Sequence, residues 1–166
     1  MKNTATETRD YHYTECGLDN VLIRNMPVVV DDDGDEIIDI PGINLLHAMI
    51  LHELSEKKGS WTASELRFVR TELGFTQSEL GDLIGKDRQT VARWEKDETD
   101  IDNNAEVVMR LLSVDHLSAM GTNNDQAERA ERPKVRDISA WVKPGAANSQ
   151  IIINRVGDSY SREVAA

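Results

Sequence analysis

Apolar residues follow two different rhythms along this chain. Between Asn20 and Ile40 they fall in β-branched runs, Val21-Leu-Ile23, Met26-Pro-Val-Val-Val30 and Glu36-Ile-Ile-Asp-Ile40, with Asp31-Asp-Asp-Gly-Asp35 between the last two. Such runs around a glycine-containing turn predict a β-hairpin, and Pro27 should place its strand at a sheet edge or at a strand start. Residues 1–10 are polar and predict a loose arm. Pro41 and Gly42 close this unit, and residues 43–57 change to helical spacing, with Leu45, Leu46, Met49, Ile50 and Leu54 on a stripe ended by Lys57-Lys-Gly59.

From Thr62 onward the punctuation becomes dense. Thr62-Ala-Ser-Glu65 and Thr76-Gln-Ser-Glu79 are both capping boxes, in which a hydroxyl accepts from a free backbone N–H and a glutamate reaches back to the cap. The first helix should stop at Gly74 and the second at Gly85, where a left-handed residue ends the turn. Asp87 is the expected cap of a third helix, RQTVARWEK. Two short helices joined by a tight glycine turn predict a helix-turn-helix. Leu66, Val69, Leu73, Phe75, Leu80, Leu83, Ile84, Val91 and Trp94 should form its core. A fourth helix near residues 104–117 should close it with Val107, Val108, Leu111 and Leu112. Gly81, mid-helix, costs about 1 kcal/mol against alanine, which suggests close approach of two helices.

Beyond Ser118 the chain is polar, with one late apolar run, Gln150-Ile-Ile-Ile-Asn-Arg-Val156, that could dock as a strand on the hairpin. The expected fold is therefore α+β: a small β-rich N-terminal unit, then a four- to five-helix bundle containing a helix-turn-helix, then a largely irregular C-terminal extension. The expected divisions are 1–42 for the arm and hairpin, 43–59 for a connecting helix, 60–118 for the helix-turn-helix domain and 119–166 for a flexible extension with a strand near 150–156.

Charge complicates this picture. Against 30 Asp and Glu stand 19 Lys and Arg, a net −11 that argues against a phosphate-rich partner. The excess is local, however: residues 1–59 carry −7, residues 60–96 are neutral, and 97–102 add four acids. The best-specified segment is thus free to gather its cations on one face. No apolar run approaches the ~18 residues of a membrane span, and the first ten residues lack the apolar core of a secretory signal, so a cytoplasmic protein with no membrane partner is expected. One cysteine, Cys16, leaves no disulfide framework.

The stretch TELGFTQSELGDLIGKDRQTVARWEK resembles the phage-repressor, or Cro/Xre-type, helix-turn-helix over about residues 62–117. The wider order, with YHYTECGLDNV and IPGINLLHAMI ahead of it, is similar to the MqsA-like antitoxin and regulator group, here with a degenerate, cysteine-poor ribbon-like N-terminal domain. The resemblance implies that the third helix enters the major groove of double-stranded DNA. Arg88, Gln89 and Arg93 would read base edges, Arg on guanine and Gln on adenine. Gln77, Lys86, Thr90 and Lys96 would contact phosphates. Arg70 and Glu95 would form a partly buried ion pair that orients the recognition helix. The competing reading of these residues is an ordinary solvated helix face.

Two departures from the relatives matter. The loop after the third helix is Asp97-Glu-Thr-Asp-Ile-Asp102, with Asp97 where a glycine is usual, so DNA affinity should be modest and salt-dependent. Zinc-ribbon relatives use paired cysteines. His12, Cys16, His47 and His52 could in principle supply a mixed site, but no metal and no cofactor are expected, with Tyr11, Tyr13 and Leu18 in a packed core instead and Cys16 a buried thiol. No catalytic signature such as a nucleophile elbow, a zincin helix or a phosphate loop is present, and the acids at 31–36 lack calcium-loop spacing, so the chain is not expected to be an enzyme. The expectation is a sequence-specific repressor, homodimeric on an inverted repeat. The alternatives are a type II antitoxin whose acidic N-terminal unit masks a basic toxin, and an interaction module that kept the fold without DNA.

Overall fold

The computed structural model describes residues 7–123 and 149–163. The arm before residue 7 and the polar stretch 124–148 lie outside them. Strands β1 (Glu7–His12), β2 (Val21–Val30) and β3 (Glu36–Ile38) lead into helices α1 (Ile43–Glu56), α2 (Ala63–Glu72), α3 (Gln77–Ile84), α4 (Arg88–Glu95) and α5 (Asn103–Asn123), and β4 (Ile151–Val156) and β5 (Ser159–Arg162) follow. The class is α+β.

The hairpin forms between β2 and β3, antiparallel, with Val28 opposite Ile38. Its acidic turn is organised locally: Asp31 Oδ1 accepts the backbone N–H groups of Asp33 and Asp35, and Gly34 takes positive φ. Part of the expected loose arm is a strand, because β1 pairs with β2 from Glu7 onward. Its side chains are mostly exposed, so it is held through backbone hydrogen bonds that a hydropathy pattern does not display. Between Arg9↔Met26 and Tyr11↔Ile23 the register shifts by one residue, with Asn25 at φ 60°. That is a bulge, and asparagine tolerates its left-handed geometry better than most residues.

Pro27 lies inside a central strand, contrary to expectation. The second side of β2 pairs with β4 over residues 21–24 and with β3 over 28–30. Pro27 falls in the gap, where a missing N–H interrupts no ladder on that side. β4 runs parallel to β2, Val21 against Ile151, and β5 returns antiparallel on β4. The last described strands thus complete the first unit's sheet.

α1 is packed against this sheet on one side and against α2 and α5 on the other. That explains why burial on it spreads past a single stripe to Leu46, Ile50, Leu51, His52, Leu54 and Ser55. Sheet and helices share one continuous core. In the helical half, Leu66, Val69, Leu80, Val91 and Trp94 are buried and Leu73, Phe75 and Ile84 half-buried, but Leu83 is 51% exposed. α5 also presents a different face from the one expected. Ala105, Met109, Val114 and Leu117 are buried, whereas Val107 and Leu112 are half-buried and Val108 and Leu111 stand in solvent.

The inward row of α5 also carries two charges. Glu106 and Arg110 are fully buried and paired at 2.7 Å. Arg110 donates to the carbonyls of Leu54, Ser55, Lys57 and Gly59, closing the C-terminal end of α1, and lies 4.7 Å over the Trp61 ring. Beside it Lys57 and Glu65 form a second buried pair at 2.7 Å. One guanidinium therefore satisfies carbonyls that the end of α1 leaves without helical partners, and ties the sheet-bearing half to the helix-turn-helix half.

Candidate nucleic-acid interface

Local signals build this site almost unaided. Both capping boxes form, Thr62 with Glu65 and Thr76 with Glu79, and the Asp87 side chain accepts from Thr90 N–H at 2.6 Å to start α4. That bond, together with the nearby Arg93 charge, holds the Asp87 carboxyl below its usual range. Gly85 ends α3 at φ 69°. Gly81 is needed for a reason other than helix–helix contact. A Cβ there would come within 2.6 Å of the Lys86 carbonyl oxygen and 3.2 Å of the Asp87 carbonyl carbon, so its bare backbone lets the α3–α4 turn fold tightly over α3.

Val91 and Trp94 point α4 into the core. The opposite side presents Arg88, Gln89 and Arg93, all exposed, with Thr90 half-buried beside them and Lys96 exposed just past the helix end. None of the three exposed side chains makes a hydrogen bond to another described residue. They are two guanidiniums and a carboxamide on one rigid, solvent-facing strip.

Arg70 and Glu95 pair in bidentate fashion, Nε to Oε1 at 2.5 Å and Nη2 to Oε2 at 3.1 Å. Arg70 also reaches the Phe75 carbonyl at 2.7 Å. The side chains are 13% and 5% exposed. Gln77 joins them, its amide donating to Glu95 Oε2 at 2.8 Å. One of its two amide N–H donors is therefore engaged inside the protein, a contact the sequence reading did not assign it. Lys86 pairs with Asp102 at 3.5 Å. Asp102 also caps α5 by accepting from Ala105 N–H, which, with the Lys86 charge, keeps its carboxyl low. The last residue of the acidic loop thus pairs with one of the cations expected at the phosphates, while Asp97, Glu98 and Asp100 remain exposed.

A family model described as a helix-turn-helix matches residues 66–104. This segment is similar to the helix-turn-helix family. Its members of the Cro/C1 type are DNA-binding transcription regulators, and the match supports that class of function here. It covers about a quarter of the chain. Comparison of the chain with curated proteins and with solved structures gives no match. No helix among the described residues is long and apolar enough to cross a membrane.

The residues named for a mixed metal site are dispersed by their bonds. His12 faces the Asp19 carbonyl, His47 lies between Tyr13 and Glu72, and His52 faces Arg162. Among the described residues no group of three or more His, Cys, Asp or Glu is placed to hold a metal ion. Tyr13 and Leu18 are buried; Tyr11 and Cys16 are only half-buried, and burial pushes the Cys16 thiol up. Sequence reasoning missed Glu106, Arg110 and the Lys57–Glu65 pair. The available signal was a glutamate and an arginine four apart within an apolar helix, a spacing that lets them pair.

Proposed function

We propose that this protein is a sequence-specific repressor that seats α4 in the major groove of an operator. The observation that carries this reading is the unpartnered strip of Arg88, Gln89 and Arg93, backed by the buried Val91 and Trp94. Arg88 and Arg93 are suited to guanine O6 and N7, and Gln89 to adenine N6 and N7. Lys86, Thr90, Lys96 and the α3 N-terminus, with Gln77 at its start, contact the phosphates that set register. Arg70 and Glu95 hold the helix at its angle. It is a binding protein of the cytoplasm, with no catalytic role.

Dimerisation doubles the few base pairs that one such unit reads. Leu83, Val108 and Leu111, at 51%, 38% and 42% exposure, supply an apolar contact on α3 and α5. α1, by contrast, packs against the sheet and against α2 and α5. Half-sites then lie about 34–36 Å apart on one face of the duplex.

The test is a gel shift at low salt with the DNA upstream of the gene. Retarded, competitor-resistant complexes that Arg93→Ala and Gln89→Ala weaken support the reading; variants that bind as the unaltered protein does would refute the groove assignment. A type II antitoxin is the second reading, favoured by the −7 charge of residues 1–59. Co-purification of a basic protein encoded next to this chain would establish it.

A further inference from the structure

A cleft of about 450 Å³ opens where three parts of the molecule meet: the turn at Glu15–Gly17, the His47 position on α1, and the solvent-facing row of α2. Its size lies within the range of small-molecule sites. Glu95, the residue that holds Arg70 and Gln77, also lines it.

The chemistry of its wall is directional. Three carboxylates, Glu15, Glu72 and Glu95, and one guanidinium, Arg67, line it. Glu95 is saturated by Arg70 and Gln77, and both oxygens of Glu15 are engaged, by the Tyr11 hydroxyl and the Thr14 N–H. Glu72 differs. Its Oε1 accepts from His47 Nδ1 at 2.8 Å, and its other oxygen has no partner among the described residues. Its orientation is set from behind. The Tyr13 phenol, pushed up to about 12 mainly by burial, stays a donor to His47 Nε2 at 2.8 Å, which leaves Nδ1–H to point at Glu72. Phe68, itself buried, meets the His47 ring edge-on at 5.6 Å and helps fix it in place. A fixed carboxylate with one acceptor to spare, in a cleft lined by more carboxylates than cations, suits a protonated amine or guanidine. An anion would meet the Glu15 and Glu72 carboxylates against the single Arg67 guanidinium, since Arg70 already balances Glu95.

We infer that this cleft binds a small organic amine or guanidine, anchored on Glu72, and that occupancy changes operator affinity through Glu95 and the α4 position it controls. The regulatory half rests on the repressor reading; the binding half does not.

The full chain, without DNA, is titrated calorimetrically with agmatine and with putrescine, and with succinate as the anionic control. Saturable one-to-one binding of an amine is expected, weakened about tenfold by Glu72→Gln, the loss of one charge-assisted contact. Thr71→Trp, at an exposed α2 position, fills the cleft without touching the Glu72–His47 bond and should abolish binding while the far-ultraviolet circular dichroism is unchanged. No saturable amine binding, equal binding by succinate, or unaltered affinity in Thr71→Trp would overturn the site. Operator affinity is then compared with and without amine in the unaltered chain and in Thr71→Trp, which controls for amine bound to DNA. A shift confined to the unaltered chain supports the coupling, and equal shifts overturn it. Failure to bind any DNA would count against the repressor reading and leave the titration result standing.

Discussion

Arginine does opposite work in two regions of this molecule. At the junction of α1 and α5, Arg110 is fully buried and its donors are taken by a carboxylate and four main-chain carbonyls. On α4, Arg88 and Arg93 are exposed, and no described residue accepts a hydrogen bond from either. The difference is one of satisfaction. A guanidinium withdrawn from water must have its donors met inside the protein, so Arg110 is committed to holding two halves together. One left in water with a rigid backbone behind it keeps its donors for a partner. Arg70 is intermediate: mostly buried, with its partner Glu95 on the same helix as the strip.

The contrast can be broken most forcefully at the junction. Arg110→Ala should cost about 3–5 kcal/mol in urea unfolding, since it strands a buried Glu106 and uncaps α1. Replacing both partners, Arg110→Met with Glu106→Met, should recover a large part of that loss. If Arg110→Ala unfolds like the parent, the junction is not the tie described. Next comes Arg70→Ala, expected to lose about 2 kcal/mol of stability, less than a fully buried pair, and to weaken operator binding although it faces no base. Unchanged DNA affinity would separate that pair from recognition.

Arg93→Ala sharpens the comparison from the other side. It should weaken specific binding by about 1–3 kcal/mol while shifting unfolding by no more than about 0.5 kcal/mol, measured by gel shift and urea titration on the same preparation. The smallest effect belongs to Asp97, a non-glycine residue at φ 59°. Asp97→Gly should stabilise the fold by about 0.5–1 kcal/mol through relief of left-handed strain, and tighten DNA binding modestly at low salt as one acid leaves the loop. A destabilised glycine variant would mean that the aspartate is held there by interactions worth more than the strain.

Legibility followed the range of the interactions. Thr62 with Glu65, Thr76 with Glu79, and Asp87 with the Thr90 N–H all lie three residues apart, so the helix-turn-helix could be read from short strings of letters, and its outward strip with it. β1 escaped because backbone pairing does not depend on apolar side chains. The run at 150–156 reads as a strand that could dock on the hairpin, and β4 does so, but its parallel pairing with β2 joins residues about 130 positions apart, so no local turn announces partner or register. Leu83, Val108 and Leu111 were assigned to the core because helical spacing reports that a stripe is apolar, not whether anything covers it.

What the letters determine by themselves is where α2, α3 and α4 begin and end, the turn between α3 and α4, and the charge asymmetry, because capping and chain conformation are settled within a few residues; α5, expected to end near 117, runs on to Asn123. Only the folded chain decides that a late strand completes an early sheet, that Gly81 makes room for a turn rather than a helix, and that Arg110 is buried while Arg93 is not. An arginine's role depends on which acceptors surround it, and those arrive from distant parts of the chain only when it packs.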